Sequence, residues 1–336
     1  MNLFLVFLFF LILFLIPFIP AIIELLRPKD ASPLFIPMDY SKDPRYFGRS
    51  FRNILGNAIT ADTGAGIREV TLSRNEKVEI VNSKRIGKGE NVNHILYIIG
   101  DLVSENEARF NKEVYVKGNA LIGSKNVLRA IACEGGLSLS REVNIVRWAD
   151  AEGRIEVYDG CDLGINTSSG DELRIGRGCK FKRLYGLPVI TYGMSNNNQG
   201  LCTDKGDISC DTRIVTKDHM IVPPFSRVEK DLIVKKDLRV KKGCVLIGSI
   251  KTYGNLIIEG NVNIFGNIFS EGDIEIWEGS AVLGDVFSQR IITIKKGVRI
   301  GSAGMIKSVI GKKGIVIGQD IMIYGYLMTE GLGVVI

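Results

Sequence analysis

Histidine most often serves as a general base near neutral pH, and the chain of 336 residues contains only two. His94 lies in an apolar stretch that reads as a strand, so we interpret it as a core histidine with satisfied hydrogen bonds. His219 stands beside Lys217 and Asp218 in an irregular segment and is typical of a surface residue. The sequence therefore predicts no catalytic residue, and we expect no enzyme activity.

The six cysteines are widely spaced and contain no CxxC pair, whereas a zinc site or a disulfide framework needs tighter clusters. Cys161, Cys179 and Cys244 occupy positions that the repeat described below turns inward, where a thiol acts as a small apolar side chain. Cys202 and Cys210 lie in the irregular segment, and their pairing in an oxidising compartment stays open. We predict no metal site and no cofactor.

Paired acids could serve as general acid and base in a carbohydrate-acting β-helix. Here Glu259, Asp273, Glu278 and Asp285 fall at the corners of the repeat, where exposure to solvent accounts for them. The net charge of +6 comes without a basic stripe that contains interleaved aromatic residues, so no nucleic-acid partner is expected.

The N-terminal run Leu3–Ile23 is uncharged and rich in Leu, Ile, Phe and Val. Its 21 residues, at about 1.5 Å per residue, span the roughly 30 Å hydrocarbon layer of a bilayer. No basic region precedes the run and no small-x-small cleavage site follows it, which favours a transmembrane anchor over a secretory signal. The anchor residues include Leu3, Phe10, Leu15 and Ile23.

The basic residues that flank this run all lie on its C-terminal side. The positive-inside rule then predicts a single-pass protein of the inner cell membrane with its C-terminal body in the cytoplasm. Export of the body is the alternative, and alkaline phosphatase fused after Ile336 would distinguish the two. The lipid bilayer is therefore one expected partner.

Residues 231–302 divide without gaps into twelve six-residue units, from DLIVKK to GVRIGS. Positions two and four of each unit share one face, because neighbouring residues of a strand point to opposite sides. Eleven of the twelve residues at position two are apolar, and the hydroxyl residues Thr252, Ser270 and Ser288 recur at position four every 18 residues. This pattern predicts an all-β fold, a β-helix (solenoid) with three-sided coils of 18 residues.

The same pattern returns upstream, clearly over 136–183 and more weakly over 113–130, and a last coil follows at 314–331. Between 56 and 112 the apolar residues lose the six-residue phase. We therefore predict a transmembrane anchor (1–26), a juxtamembrane linker (27–55), a first β-helical arm (56–183, weakly regular before 113), an irregular insertion (184–230) and a second β-helical arm (231–336).

The 18-residue coil, the units of glycine and aliphatic residues and the hydroxyl column of SIKTYG, NIFSEG and DVFSQR resemble the bactofilins, the polymer-forming cytoskeletal proteins. The resemblance covers 231–302 well and 113–183 fairly. It implies a right-handed β-helix that polymerises end to end as a non-enzymatic scaffold, often at the inner face of the membrane. Its partners would be further copies of itself and possible membrane or envelope proteins. The anchor, the two arms and the insertion indicate a membrane-anchored relative rather than a plain filament subunit.

Two alternatives stay open. Hexapeptide-repeat acyltransferases also have 18-residue coils, in a left-handed β-helix, but there a small residue usually precedes the large aliphatic by two positions. Here the aliphatic residues Ile250, Ile268 and Val286 come first and the hydroxyl second. An exported β-helical carbohydrate-binding protein is the other alternative.

A solenoid exposes open strand edges at its ends, and such edges pair with other strands unless they are capped. The C-terminal residues 331–336 are apolar and carry no charged cap. We therefore expect the terminal coil to associate end to end with a second copy. The residues expected at this edge are Ile315, Ile317, Ile321, Ile323, Leu327, Val334 and Ile336.

Overall fold

The computed structural model describes residues 43–61, 69–72, 76–192 and 213–336. These residues contain one helix, α1 (Tyr46–Ala61), and 33 strands joined in one sheet. They form a mostly-β solenoid of about 13 turns with coils of about 18 residues, which confirms the predicted β-helix. The predicted anchor lies outside the described residues, and none of the helical structure within them could cross a membrane.

The first arm stacks its strands in parallel, except that the short β1 runs antiparallel to β2 at the N-terminal end. Its strands are β1 (Glu69–Leu72), β2 (Glu76–Val81), β3 (Lys84–Ile86), β4 (Asn91–Val92), β5 (Ile95–Ile98), β6 (Leu102–Ser104), β7 (Arg109–Val116), β8 (Ala120–Ile122), β9 (Val127–Cys133), β10 (Leu137–Leu139), β11 (Asn144–Ala151), β12 (Ile155–Val157), β13 (Asn166–Ser169), β14 (Leu173–Ile175) and β15 (Lys180–Thr191). Register shifts interrupt the pairing of β7 with β9 and of β9 with β11.

The second arm has three columns of parallel strands, one on each side of the coil. Its strands are β16 (Arg213–Thr216), β17 (Met220–Val222), β18 (Arg227–Val228), β19 (Asp231–Val234), β20 (Leu238–Val240), β21 (Val245–Leu246), β22 (Ile250–Thr252), β23 (Leu256–Ile258), β24 (Asn263–Ile264), β25 (Ile268–Ser270), β26 (Ile274–Ile276), β27 (Ala281–Val282), β28 (Val286–Ser288), β29 (Ile291–Ile294), β30 (Arg299–Ile300), β31 (Lys307–Gly311), β32 (Gly314–Ile317) and β33 (Met322–Val335). All the inward residues predicted for 231–302 are buried, including Cys244.

The two arms meet end to end through their last coils. β15 closes the first arm and β33 closes the second, and these two strands pair antiparallel. Leu184 lies opposite Leu327, and both side chains are fully buried. The two cores thus join into one hydrophobic cluster that runs through both arms.

Two boundaries differ from the sequence-based prediction. Residues 46–55 were expected in an extended linker but form the first part of α1, because Phe47, Phe51 and Leu55 recur every four residues and make one apolar helix face. The described parts of the predicted insertion 184–230 are regular: β15 extends to Thr191, and 213–230 form a coil of three six-residue units. Pro223 and Pro224 and the mixed charges mask that pattern in the sequence.

Candidate interaction surfaces

The two histidines lie in different arms, and each is paired with one carboxylate. His94 is not a core residue, contrary to the prediction: it precedes β5 at a corner, its side chain is 41% exposed, and it is paired with Glu79. Glu79 also accepts a hydrogen bond from Lys84 at 2.8 Å. His219 is a surface residue as predicted, 62% exposed, with its Nδ1 atom 3.1 Å from a carboxylate oxygen of Asp237.

The hydroxyl column closes the corners of the coils. Ser270 donates to the carbonyl of Gly254 at 2.8 Å and accepts from the N–H of Gly272 at 3.1 Å. Ser288 repeats the arrangement one coil later, and Ser169 repeats it in the first arm. Both hydrogen-bonding functions of these hydroxyls are used by the backbone, so the column is accounted for by structure.

A shallow apolar cavity of about 240 Å³ lies on the outside of the junction between the arms. Its walls include the exposed side chains Val146, Ile165 and Leu332, with Lys180 and Asp162 as charged neighbours. Within the described ranges, no group of three or more His, Cys, Asp or Glu residues could hold a metal ion.

The terminal coil does not offer a free edge. The residues predicted there are buried in the core or paired within the chain: Ile315, Ile317, Ile321, Ile323 and Leu327 are at most 1% exposed. Val334 lies opposite Lys180 of β15, and Ile336 alone among the predicted residues is largely exposed. The edge that was expected to bind a second copy is occupied by the first arm, because the chain folds back and supplies the complementary strand itself.

At the other end of the second arm, the described part of the chain ends in a coil with an unpaired edge. β16, β17 and β18 pair with β19, β20 and β21 on one side, and no described strand pairs with their outer edge. The inward residues Ile214, Met220 and Val228 are only partly buried, because no further described coil covers them. Phe225 at the same end is 74% exposed.

At the N-terminal end of the first arm β1 pairs with β2, whereas no described strand pairs with the outer edges of β3 and β4. α1 packs against β1, β9 and β11. We call the outward surface of β5, β7, β9, β11 and β13 the helix face. Phe51 of α1 contacts Tyr115 and Trp148 there, edge to face, with centroid distances of 6.4 Å and 5.7 Å. The helix therefore covers an aromatic surface that would otherwise be exposed.

A buried ion pair holds the start of α1 on the helix face. Arg45 donates two hydrogen bonds to Asp150, both of 2.9 Å, and one of 2.8 Å to Glu152. Ser168 donates to Asp150 at 2.8 Å, and the side-chain amide of Asn166 donates to the carbonyl oxygen of Pro44 at 3.1 Å. The chain therefore enters the solenoid at β13, in the last part of the first arm before the junction.

These contacts change the proton affinities of the groups involved. Burial raises the pKa of the Asp150 carboxyl, an effect that the hydrogen bonds from Arg45 and Ser168 oppose. The hydrogen bond from Arg45, together with one from Arg52, lowers the pKa of Glu152 to about 2. At neutral pH Glu152 is therefore charged and paired.

Comparisons of the chain with protein-family models, with curated proteins and with solved structures found no match. The strand pairing and the buried columns identify the architecture without them. The chain is a β-helical solenoid scaffold.

Proposed function

We propose that the protein is a membrane-anchored, non-enzymatic scaffold, similar to the bactofilins, that self-associates through the open coil of β16, β17 and β18. The open coil is the observation that carries the proposal. Its backbone edge is unpaired among the described strands, and its core side chains are partly exposed. Such an end gains both backbone hydrogen bonds and buried apolar area when another strand edge covers it.

The molecule already contains a contact of the proposed type. At the junction, β15 and β33 pair antiparallel and close two solenoid ends against each other. A second copy related by a two-fold axis would present its own β16, β17 and β18 in the same antiparallel manner. Contacts of this isologous kind are self-complementary and closed.

The two far ends differ in the burial of their core, and this difference favours a dimer over an unlimited filament. At the far end of the first arm no described strand pairs with the outer edges of β3 and β4, but Ile86 and Val92 are buried there, and the end at β33 is used within the chain. Association through β16, β17 and β18 alone joins two rods and then stops. A right-handed winding, an anchor at Leu3–Ile23 and a cytoplasmic body complete the proposal, and the fusion after Ile336 tests the last part.

The non-enzymatic part of the proposal is supported by the way in which the polar groups are used. The hydroxyls of the column bind backbone groups, and His94 and His219 pair with surface acids far from each other in the chain. Turnover of acetyl-CoA by the purified protein would instead favour the acyltransferase alternative.

Self-association through the outer edge of β17 can be tested with two substitutions at Ile221, which is 62% exposed. The N–H of Met220 binds the carbonyl of Asp237 in the neighbouring coil, so the N–H of Ile221 points to the free edge. Ile221→Pro removes that free donor but no existing pair, and proline is tolerated at strand edges. Ile221→Thr keeps the donor and serves as the control.

Sedimentation velocity of the full chain in detergent should show a dimer for the wild type and for Ile221→Thr, and a monomer for Ile221→Pro. Circular dichroism should show the same β-sheet content for all three. A wild-type protein that stays monomeric at high concentration would falsify self-association, and a dimer that tolerates Ile221→Pro would place the contact elsewhere.

A further inference from the structure

One side of the second arm presents apolar side chains to the outside. We call the outward surface of β16, β19, β22, β25, β28 and β31 the apolar face. Five of its six central residues are apolar, and they stack in register from one coil to the next. In order along the arm, these central residues are Val215, Ile233, Lys251, Phe269, Phe287 and Ile310.

A second apolar column runs along the neighbouring corner, through Ile247, Phe265 and Leu283, all partly exposed. Phe269 and Phe287 are stacked nearly parallel, with ring centroids 5.2 Å apart. Parallel strands lie about 4.8 Å apart, so the six strands give a flat surface roughly 25–30 Å long. An apolar surface of this extent on a solenoid indicates a docking site.

Lysines surround this face. Lys235 and Lys251 hold their ammonium groups over the ring of Tyr253, at 3.9 Å and 5.0 Å from its centroid, and Lys251 lies 5.5 Å from the ring of Phe269. The bordering lysines are Lys217, Lys235, Lys236, Lys251, Lys307, Lys312 and Lys313, and the bordering acids are Asp218, Asp231, Glu271 and Asp285.

Three of these four acids are already engaged by the chain. Asp231 and Asp285 accept hydrogen bonds from backbone N–H groups of the next coil, and Asp218 accepts one from Lys236. Aromatic residues next to lysines are the composition of proteins at a membrane interface, and clustered lysines are attracted to anionic lipids. The charge of the border therefore suits an anionic partner.

The position of the N-terminal chain supports the same partner. The apolar face continues across the junction into the helix face, because β31 pairs with β33, β33 with β15, and β15 with β13. The chain enters the solenoid on the helix face, at Pro44 beside Asn166. Pro44 therefore lies on the side of the solenoid that carries the apolar face.

We propose that the apolar face of the second arm, with its lysine border, docks against an anionic lipid surface. The aromatic and aliphatic side chains would enter the headgroup region while the lysines contact phosphate groups. The inference rests on the membrane attachment in the proposed function but not on self-association. It adds that the rod lies on the bilayer along its second arm.

The test places a tryptophan on the face and asks whether it meets lipid. In the full chain carrying Trp277→Phe, Phe269→Trp is the probe, and Thr293→Trp on the adjacent side of the coil is the matched control. Trp148 is only 7% exposed and contributes the same background to both. Each variant is mixed with vesicles of brominated phosphatidylcholine, with or without phosphatidylglycerol, and capture is measured by flotation.

With phosphatidylglycerol present, we expect Phe269→Trp to lose most of its emission and Thr293→Trp to keep it. Each lysine near an anionic surface strengthens binding about fivefold, so Lys235→Glu, Lys251→Glu and Lys312→Glu together should restore the emission of the probe. Circular dichroism of each variant verifies that the solenoid is folded.

Equal emission of the two probes in captured protein would overturn the inference and leave the anchor intact. Equal quenching of Phe269→Trp without phosphatidylglycerol would overturn the role of anionic lipid. A change of its emission with protein concentration in neutral detergent would assign the face to a second copy instead. Failure of flotation would overturn the membrane attachment together with this inference.

Discussion

The two arms use the same coil, but their outer surfaces differ. On the helix face of the first arm the outward residues Tyr97, Tyr115, Ala132, Asp150 and Ser168 are all buried, because α1 or its preceding residues cover them. On the apolar face of the second arm the outward residues stay exposed or partly exposed. The alternation of buried and exposed residues is therefore clear in the second arm and lost on the helix face of the first.

This difference explains why the sequence pattern is clean in one arm and poor in the other. A strand that is buried on both faces has no polar side to alternate with its apolar side. The register shifts in β7, β9 and β11 add to the effect, because they change the coil length by one residue. The four predictions below test the comparison.

The largest effect is expected from a charge in the core of the regular arm. Ile264 is 1% exposed and its stacked neighbours are Leu246 and Val282. Ile264→Asp buries an unpaired carboxylate, so we expect a loss of more than about 4 kcal/mol of stability and unfolding of the second arm. The loss of stability is measured by thermal unfolding, with circular dichroism as the signal. Asn263→Asp, exposed on the same strand, should leave the melting temperature nearly unchanged.

A smaller and more local effect is expected on the helix face. Asp150→Ala leaves the guanidinium of Arg45 buried without its main partner, and breaking a buried pair in this way costs about 3–5 kcal/mol. We expect α1 to detach so that Arg45 regains water. Hydrogen exchange should increase over 46–61 while the second arm keeps its protection. Glu105→Ala, at a carboxylate that is 46% exposed, should change neither.

Alanine substitutions at two glycines of α1 distinguish the effect of close packing from the effect of helix propensity. A Cβ on Gly48 would come within 2.3 Å of an oxygen of Asp150, whereas a Cβ on Gly56 would meet no atom within 4 Å. Gly48→Ala should weaken the docking of α1 by about 1–3 kcal/mol through overpacking. Gly56→Ala should stabilise it by about 1 kcal/mol, because alanine favours a helix. Equal effects of the two changes on hydrogen exchange of α1 would contradict the close contact.

The smallest effect concerns pH. The pKa of Glu152 is lowered to about 2 by hydrogen bonds from Arg45 and Arg52. A depressed carboxyl pKa contributes stability that is present above the unfolded value, about 4.3, and is lost as the pH falls toward 2. The protection factors of the α1 amides, which remove the intrinsic pH dependence of exchange, should therefore fall over this range. In Glu152→Gln this part of the pH dependence should disappear, and a variant with an unchanged profile would contradict the assignment.

The sequence also contains the signals for two elements outside the regular repeat, the coil of 213–230 and the helix α1. Residues 213–230 read as RIVTKD, HMIVPP and FSRVEK, with Ile214, Met220 and Val222 in inward slots. The two prolines obscured this coil. The apolar spacing of Phe47, Phe51 and Leu55 likewise predicts a helix, but the four prolines between 28 and 44 favour an extended linker.

The sequence by itself determined the coil: its length, its three sides, its inward columns and its hydroxyl corners. These follow from the local two-residue alternation of strands and from the stacking of each coil on the next, both of which leave a period in the sequence. Only the tertiary structure decided that Leu184 meets Leu327 at an antiparallel junction and that Arg45 binds Asp150. Each of those contacts is made once between distant parts of the chain, so no repeating sequence pattern predicts it.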